Sequence, residues 1–372
     1  MESRLDVPTW RPRLRDSVIV QRDGDELLFI CTGDRTVKRF SADERAMRLL
    51  PLLTGRKTVA ELAEAVGAAS VEEIRPVLQV LEEERLLSKA SDFDGDFLTL
   101  GSRRAYYYDR QLRLFQDFCD EELLADLSGV DVQRRLDGAT VVICGVGGLG
   151  GWIAHLLGLA GVGTLRLCDF DRVELTDLAR QPLFTVEDVG RSKVDAAAAR
   201  IGDLNPHVTV EQFMRKMSGP DDLGDLVAGA DLVIAAADEP SPVDVATWIS
   251  EACREGIPHI IGGGYAYHLG VVGTTVIPGR SACWECVRSV TLAEHGRAQA
   301  ITLIPRRQRT GGLGVLNGLV ASVLAWEAIR VVVGLPPALT DRWLEIDLWS
   351  LTKRVRSIER RPDCPACGDA GA

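Results

Sequence analysis

The chain lacks an excess of positive charge. Its 372 residues include 43 Lys and Arg against 54 Asp and Glu, which gives a formal net charge of −11. Broad affinity for nucleic acids or for anionic membranes requires a positive field. Neither class of partner is therefore expected, although this balance leaves room for a local basic pocket.

Targeting and membrane-spanning signals are also missing. The first residues, MESRLDVPTWRPRLRD, have no apolar core of a signal peptide. The longest apolar stretch, residues 314–334, contains Asn317, Glu327 and Arg330. These polar side chains favour a buried helix of a soluble domain over a membrane span. We therefore expect a cytoplasmic protein.

The sequence pattern of residues 1–90 predicts a small α+β domain of winged-helix-like type. Short alternating strands surround the turn RDGDE, and three helical segments follow, for which Ser41 and Thr58 are predicted N-caps. Acidic residues at 72–73 and 82–84 would repel DNA phosphates. A peptide-binding or packing role is therefore favoured over DNA binding.

Residues 91–104 are polar and acidic and predict a linker. From residue 105 to residue 372, strand and helix patterns alternate along the chain. This order predicts an α/β domain with a doubly wound, mostly parallel sheet of the Rossmann-like type.

A glycine-rich segment, GVGGLG at 145–150, follows the first predicted strand of this domain. Gly145 permits a tight turn, and Gly147 lets backbone N–H groups approach a phosphate at the start of a helix. About 20 residues later, the next strand ends at Asp169, where a carboxylate can bind ribose hydroxyls. A nicotinamide dehydrogenase and an ATP-using enzyme both remain open at this point.

Polar and basic residues after Asp169 favour ATP. Arg180, Gln181, Arg191 and Lys193 follow closely, and such side chains suit a triphosphate whose charge must be neutralised. The chain has no G-x-x-x-x-G-K-[ST] motif, so transfer of the γ-phosphate through a P-loop is not indicated. Attack at the α-phosphate with release of pyrophosphate becomes the favoured chemistry.

Several segments together resemble the ubiquitin-activating-enzyme superfamily. They are GVGGLG, LAGVGTLRLCDFDRVELTDLARQPLF, GRSK and LNPHV, and the resemblance covers about residues 105–372. The superfamily includes the ThiF/MoeB-like adenylating enzymes of thiamine and molybdopterin synthesis and the microcin C-type peptide adenylases. The resemblance implies adenylation of a carboxylate on a protein or peptide, with ATP and Mg²⁺.

The resemblance also implies roles for single residues. Nucleotide contacts are implied for Gly145, Gly147, Gly148, Asp169, Asp177, Arg180, Gln181 and Lys193. Asp238, at the end of the strand pattern DLVIAAAD, matches the magnesium-binding aspartate, with helix capping as the alternative. Asp177 stands where the family has Asn, and its extra negative charge puts that contact in doubt.

YDRQ at 108–111 resembles a family segment that donates an arginine across a dimer interface. Arg110 would then reach the ATP of a partner subunit, and the protein would be a homodimer. Tyr107 stands where the first arginine of that segment usually lies. Arg110, Arg180, Lys193 and Asp238 are the candidate catalytic residues.

Two C-x-x-C pairs, CWEC and CPAC, supply four thiols at Cys283, Cys286, Cys364 and Cys367. Paired motifs of this kind in a cytosolic chain favour zinc over disulfides. A closed Cys₄ site has no open coordination position, so the predicted Zn²⁺ is structural. A redox pair is the alternative.

Residues 287–314 contain no cysteine, so a thioester step is not indicated. The N-terminal domain resembles the precursor-peptide recognition domains of ribosomal peptide (RiPP) pathways, which bind leader peptides by strand addition. VIVQ or LLFICTG could offer the strand edge. We therefore expect ATP-dependent adenylation of a carboxylate on a precursor peptide. The alternatives are activation of a ubiquitin-like sulfur-carrier protein, a non-catalytic scaffold that presents a leader peptide, and a dehydrogenase.

Overall fold

The computed structural model describes residue 4 and residues 7–41, 43–89, 99–124, 126–294 and 311–368. The chain divides into two compact units, Met1–Arg134 and Arg135–Ala372.

A three-stranded antiparallel sheet in the first unit is formed by β1 (Val18–Asp23), β2 (Glu26–Cys31) and β3 (Val37–Ser41), in that spatial order. On the central strand β2, Leu27, Phe29 and Cys31 are buried at every second position. This alternation is that of a strand with one face on a core.

Three helices pack on this sheet: α1 (Glu44–Leu49), α2 (Val59–Ala65) and α3 (Arg75–Glu83). Thr58 is the N-cap of α2 and forms a capping box with Glu61, as predicted. The prediction that Ser41 caps α1 is wrong. Asp43 is the N-cap, because its carboxylate accepts a hydrogen bond from the N–H of Ala46, whereas Ser41 belongs to β3.

Two further helices of the first unit, α4 (Ser102–Tyr107) and α5 (Asp109–Asp120), follow in the chain. Ser17 Oγ donates to Asp117 Oδ1 at 2.9 Å, and the N–H of Lys89 donates to Asp120 Oδ1 at 2.8 Å. These bonds join α5 to the N-terminal module, so the compact unit extends beyond residue 90. The predicted boundaries 1–90, 91–104 and 105–372 stay a prediction.

Helix α6 (Gly129–Gly138) contains the division between the units, and a mixed sheet follows in the second unit. The strands of this sheet are β4 (Thr140–Cys144), β5 (Thr164–Cys168), β6 (Thr209–Phe213), β7 (Leu232–Ala235), β8 (His259–Ile261), β9 (Tyr265–Ala266), β10 (Leu269–Val276), β11 (Arg342–Asp347) and β12 (Thr352–Ser357).

The sheet has the order β12-β11-β10-β8-β7-β4-β5-β6, and β9 pairs with β10. Strands β4 to β8 pair in parallel with one another. The rest of the sheet is antiparallel: β10 pairs with β8, β9 and β11, and β11 pairs with β12. On β4, Val141 and Val142 point to opposite faces and both are fully buried. Layers therefore cover both faces, and the predicted α/β fold with a small N-terminal sheet is confirmed.

The helices of the second unit are α7 (Gly148–Ala160), α8 (Lys193–Leu204), α9 (Gly224–Val227), α10 (Pro242–Ala252), α11 (Trp284–Glu294) and α12 (Gly314–Val333). By length and composition α12 could cross a membrane. However, α12 packs against α7 and β10. Its buried Glu327 accepts hydrogen bonds from Thr275 and from the N–H groups of Ala338 and Leu339. These contacts fit the predicted core helix.

Candidate active site

The glycine loop lies between β4 and α7, at the carboxyl end of the parallel strands. Gly145 has φ +99°, and a Cβ there would lie 2.6 Å from the backbone nitrogen of Ala237. A side chain at this position would therefore collide with the loop that follows β7. Gly150 meets a similar limit, because its Cβ would lie 1.8 Å from the carbonyl oxygen of Gly145.

The start of α7 offers backbone donors. Gly147 is the N-cap, Gly148 is the first helical residue, and no side chain caps this end. The first N–H groups of a helix have no partner within the helix, and its dipole favours an anion there. The loop therefore presents donors at the place where the sequence predicts phosphate.

Asp169 follows β5 and faces the glycine loop. Its Oδ2 accepts the N–H of Val146 at 2.7 Å, and its Oδ1 accepts the N–H of Asp171 at 2.8 Å. Burial raises the pKa of this carboxyl above its ordinary value, although both backbone bonds and nearby Lys193 oppose that shift. The two backbone bonds fix the orientation of the carboxylate beside the loop.

Lys193, at the start of α8, is buried among acidic groups. Its Nζ donates to Asp171 Oδ2 at 2.8 Å and lies 4.0 Å from Asp177 Oδ2. Burial alone would lower the pKa of Lys193, but the hydrogen bond to Asp171 and the charges of Asp169, Asp171 and Asp177 raise it. The ammonium group is therefore charged at neutral pH.

Asp177 is a shared acceptor for the polar side chains expected at the phosphates. Its Oδ1 accepts Arg180 Nη2 and Gln181 Nε2, each at 2.8 Å, and its Oδ2 accepts the N–H of Glu174. The carboxylate is buried. Its negative charge is thus matched by Arg180 and Lys193, so the extra charge that Asp177 brings in place of Asn is compensated within the protein.

Asp238 lies in the exposed loop after β7. The alternative that it caps the next helix is wrong, because Ser241 is the N-cap of α10 and accepts the N–H of Asp244. Among the described residues, the Asp238 carboxylate has no hydrogen bond or ion pair. A free carboxylate at the end of a parallel strand fits a Mg²⁺ ligand.

Arg110 belongs to α5 in the first unit, and 97% of its side chain is exposed. Its Nε lies 4.0 Å from Asp109 Oδ2. Tyr107 is also exposed. The role of Arg110 across a dimer interface stays a prediction.

The four thiols of the two C-x-x-C pairs come together in the second unit. The Sγ atoms of Cys283, Cys286, Cys364 and Cys367 all lie within 4.8 Å of one another. The separations are 3.5 Å for Cys283–Cys364 and 3.6 Å for Cys286–Cys367. Tetrahedral Zn²⁺ with bonds of about 2.3 Å sets its sulfurs about 3.8 Å apart, so this group could hold zinc.

Two residues contribute to the site that the sequence patterns did not indicate. Asp171 holds Lys193, and only its place two residues after Asp169 could have suggested this. Asn317, on α12, contacts the start of α7: a Cβ on Gly148 would lie 2.7 Å from Asn317 Nδ2. A polar residue inside an apolar helix was the available signal.

The sequence pattern of the ThiF family matches residues 108–366, which is more than half of the chain. The chain belongs to the ThiF family. This ThiF-family protein is 33% identical over 256 residues to the SAMP-activating enzyme E1 of Haloferax volcanii, an alignment that covers 68% of this chain and 90% of the relative. It is 32% identical to the sulfur carrier protein adenylyltransferase of Thermus thermophilus, over 65% of this chain and 86% of the relative.

Solved structures resemble the ThiF-family protein over more of its length. E. coli MccB with ATP superposes with a TM-score of 0.72 at 21% identity, covering 96% of this chain and 99% of MccB. PaaA superposes with a TM-score of 0.64 at 26% identity, covering 77% of this chain and 92% of PaaA. The MccB match confirms the fold, including the small N-terminal sheet. The predicted enzyme class, an adenylyltransferase of the ThiF/MoeB type, is confirmed by the family and its named members.

Proposed function

We propose that this enzyme adenylates a carboxylate on a ribosomally made precursor peptide. The observation that carries the proposal is the pairing, in one chain, of a nucleotide site of the ThiF type with a separate N-terminal module that has an apolar groove beside a strand edge. MccB, the microcin C7 biosynthetic enzyme, has been solved with ATP and with N-formylated MccA, and this chain matches it through both parts.

The proposed reaction is a displacement at the α-phosphorus of ATP. An oxygen of the peptide carboxylate forms a bond to that phosphorus. The bond between the α-phosphorus and the oxygen that bridges it to the β-phosphate breaks. The products are acyl-AMP and pyrophosphate, and no proton has to move. The chief demand on the protein is to offset the negative charge of the phosphates and of the incoming carboxylate.

Residues around the glycine loop meet that demand. Backbone N–H groups at Gly147 and Gly148 would bind the phosphate chain, and Asp169 would accept hydrogen bonds from the ribose hydroxyls. Arg180 would shift part of its pairing from Asp177 to the nucleotide, and Lys193 would do so from Asp171. Gln181 would keep its hydrogen bond to Asp177.

Two metals fit this chain in different ways. Mg²⁺ would bind the free Asp238 carboxylate and neutralise phosphate charge there. Zn²⁺ would bind the four gathered thiols and stabilise the fold, since four thiolates leave no position for substrate. Because Cys283 and Cys286 belong to this group, and residues 287–314 contain no cysteine, the proposed reaction stops at the acyl-adenylate before transfer to another nucleophile.

The peptide-binding part of the proposal rests on a groove in the first unit. The groove has a volume of about 240 Å³ and is lined by β2, β3, α1, the turn that follows α1, and α3. The lining residues are Leu27, Phe29, Phe40, Ser41, Ala46, Leu50, Pro76, Val77, Val80 and Leu81. Almost all of these side chains are apolar. The groove therefore suits one or two apolar side chains of a peptide.

The edge strand beside the groove is β3. β2 pairs on both sides, so LLFICTG cannot accept another strand, and that suggestion from the sequence is wrong. β1, which contains VIVQ, is an edge but does not line the groove. A peptide strand added to β3 would place every second side chain on the face where Phe40 lines the groove.

ATP–pyrophosphate exchange tests the proposal. The acceptors are short peptides encoded beside this gene, and intact mass is recorded for each peptide. Peptide-dependent exchange is expected, and Asp238→Ala is expected to slow it about 100-fold because the Mg²⁺ ligand is lost. Asp203→Ala, which removes an exposed carboxylate on α8, is the matched control and should exchange like the wild type.

Other acceptors decide between the alternatives. The ThiF relatives named above include a sulfur carrier protein adenylyltransferase, so a ubiquitin-like carrier protein with a free C-terminus belongs in the panel. Exchange with the carrier and with no peptide would replace the peptide proposal by carrier activation. Tight peptide binding without exchange, and without ATP binding, would support the non-catalytic scaffold.

The assembly and location follow from the same proposal. A homodimer would let the exposed Arg110 of one subunit reach the ATP of its partner, and an enzyme that uses ATP on a newly made peptide would act in the cytoplasm. Arg110→Ala mixed with Asp238→Ala tests the first point. If each protomer supplies Arg110 to the other, the mixture regains part of the exchange that both single variants lack.

A further inference from the structure

We infer that Asn317 contacts the phosphate chain of the nucleotide and stabilises the negative charge that builds up during adenylation. The inference rests on the proposed function, since it assigns one more residue to the same site. It begins from a buried polar side chain without a partner. Asn317 is 7% exposed, and among the described residues its side-chain amide has no hydrogen-bond partner.

The position of this amide is set by close packing. A Cβ on Gly148 would lie 2.7 Å from Asn317 Nδ2 and 3.3 Å from its Oδ1. The amide therefore lies directly against the first residue of α7, and a side chain at 148 would displace it. Amides with little exposure are nearly always hydrogen-bonded. The unpaired amide atoms of Asn317 are not sealed from solvent, so a ligand at this helix N-terminus can reach them and complete their bonding.

Two helices begin at this place. Leu313 is the N-cap of α12 and, like Gly147 at α7, provides no side-chain cap. A Cβ on Gly314 would lie 3.0 Å from the carbonyl oxygen of Ala179, so the start of α12 lies against the turn that carries Arg180. The positive ends of two helix dipoles thus lie beside the same turn, which favours an anion there.

Trp152 fixes this arrangement. Its Nε1 donates to the carbonyl oxygen of Arg180 at 3.1 Å, and its ring lies 3.7 Å from the position of a Cβ on Gly318. Because Gly318 follows Asn317, the indole holds α7, α12 and the Arg180 turn at fixed spacing. The amide of Asn317 is therefore held in place before any ligand binds, as electrostatic stabilisation of a transition state requires.

Binding of phosphate-bearing and phosphate-free ligands distinguishes this role from a structural one. Titration calorimetry is carried out on the full chain with ATP, with adenosine and with tripolyphosphate. Asn317→Asp places a negative charge at the two helix starts, and we expect affinity for ATP and tripolyphosphate to fall at least about tenfold. Affinity for adenosine should change less than about twofold, because adenosine carries no charge at that place.

Further variants keep the test sharp if the aspartate variant does not fold. Asn317→Leu has a similar volume without a donor and should weaken ATP binding about fivefold, whereas Asn317→Ser retains a donor and should weaken it less. Ser322→Ala, on the same helix but exposed, is the matched control. Thermal unfolding without ligand records the stability of each variant.

The outcomes separate this inference from the proposed function. Variants that bind ATP and tripolyphosphate as the wild type does, or that lose adenosine affinity to the same extent, would overturn the role of Asn317 while leaving adenylation intact. If the wild type binds tripolyphosphate and this binding depends on Asn317, but no pyrophosphate exchange is seen, the anion contact stands and the adenylation proposal is wrong. A wild type that binds neither ATP nor tripolyphosphate overturns both.

Discussion

The nucleotide site and the N-terminal groove differ in the chemical character of their side chains. In the second unit, the buried Lys193 and Asp177 and the half-buried Arg180 form a set of charges in which each group has a partner. In the first unit, the groove between β3 and α3 is lined by apolar side chains. The energy of a charged contact with a ligand depends on the direction and distance between the groups, whereas that of an apolar contact depends on the area buried.

The contrast has a consequence for specificity. A single substitution among paired charges leaves an uncompensated charge behind, and such losses are large. A single substitution in an apolar groove removes a fraction of the buried area, and a peptide can shift to compensate. We therefore expect single substitutions at the nucleotide site to reduce activity strongly and single substitutions in the groove to reduce peptide affinity only moderately.

The largest effect is expected for Lys193→Met. The variant keeps the length of the side chain but loses a charge near the phosphates, and it leaves Asp171 without its partner. We expect kcat/KM for ATP in pyrophosphate exchange to fall about 1000-fold. Lys353→Met, which changes an exposed lysine on β12, is the control. Exchange within a factor of ten of the wild type would show that the pairing of charges does not matter for catalysis.

The loss of stability in Lys193→Met should also depend on pH. The pKa of Lys193 is raised above its ordinary value of 10.5 in the folded protein. The stabilisation from its ion pairs is therefore present in full below about pH 10.5 and is lost as the pH rises through the higher pKa of the folded state. The difference in Tm between wild type and Lys193→Met should be constant from about pH 6 to about pH 10 and should shrink above that range.

An intermediate effect is expected for Val80→Asp in the groove. Val80 is 39% exposed, so the substitution should cost the fold little, but it places a charge where apolar peptide side chains would pack. We expect peptide affinity to fall about tenfold while ATP affinity is unchanged. Gln79→Asp adds the same charge to the same helix outside the groove. Equal losses in both variants would mean that the peptide is attracted by charge and not by the groove.

The smallest effect is expected for Asp177→Asn, which restores the family residue. Asn can still bond to Arg180 and Gln181, but the positive charges of Arg180 and Lys193 are then less compensated. ATP should bind about threefold more tightly, and the protein without ATP should be slightly less stable. Isothermal titration together with thermal unfolding measures both changes. Weaker ATP binding would mean that Asp177 is needed to orient its neighbours.

How much could be predicted from sequence differed between the two regions for a physical reason. The spacing of Gly145, Gly147 and Asp169 is set by one strand–turn–helix–strand unit, so local sequence was enough to indicate a nucleotide loop. The parallel strands β4 to β8 were predicted for the same reason. The groove is formed by residues between Leu27 and Leu81 that are nearly all apolar and share no other feature, so no motif marks it.

The antiparallel part of the sheet was not predicted. Strand β10 pairs with β8 and β9, and it also pairs with β11, which lies some 70 residues later in the chain. Long-range pairing of this kind leaves little trace in local patterns. The contact of Asn317 with Gly148 was hidden in the same way, because the two residues are far apart in sequence and their packing follows from the position of α12 on α7.

The close approach of Gly145 to Ala237 has a genetic consequence. The phosphate loop touches the loop that carries Asp238, and there is no space between them for even a methyl group. A mutant allele with alanine at 145 should therefore resemble an Asp238→Ala allele in a screen, although residue 145 lies on a different loop. Suppressor mutations of such an allele should map to Ala236 and Ala237, whose backbone a side chain at 145 would meet, on a different part of the gene.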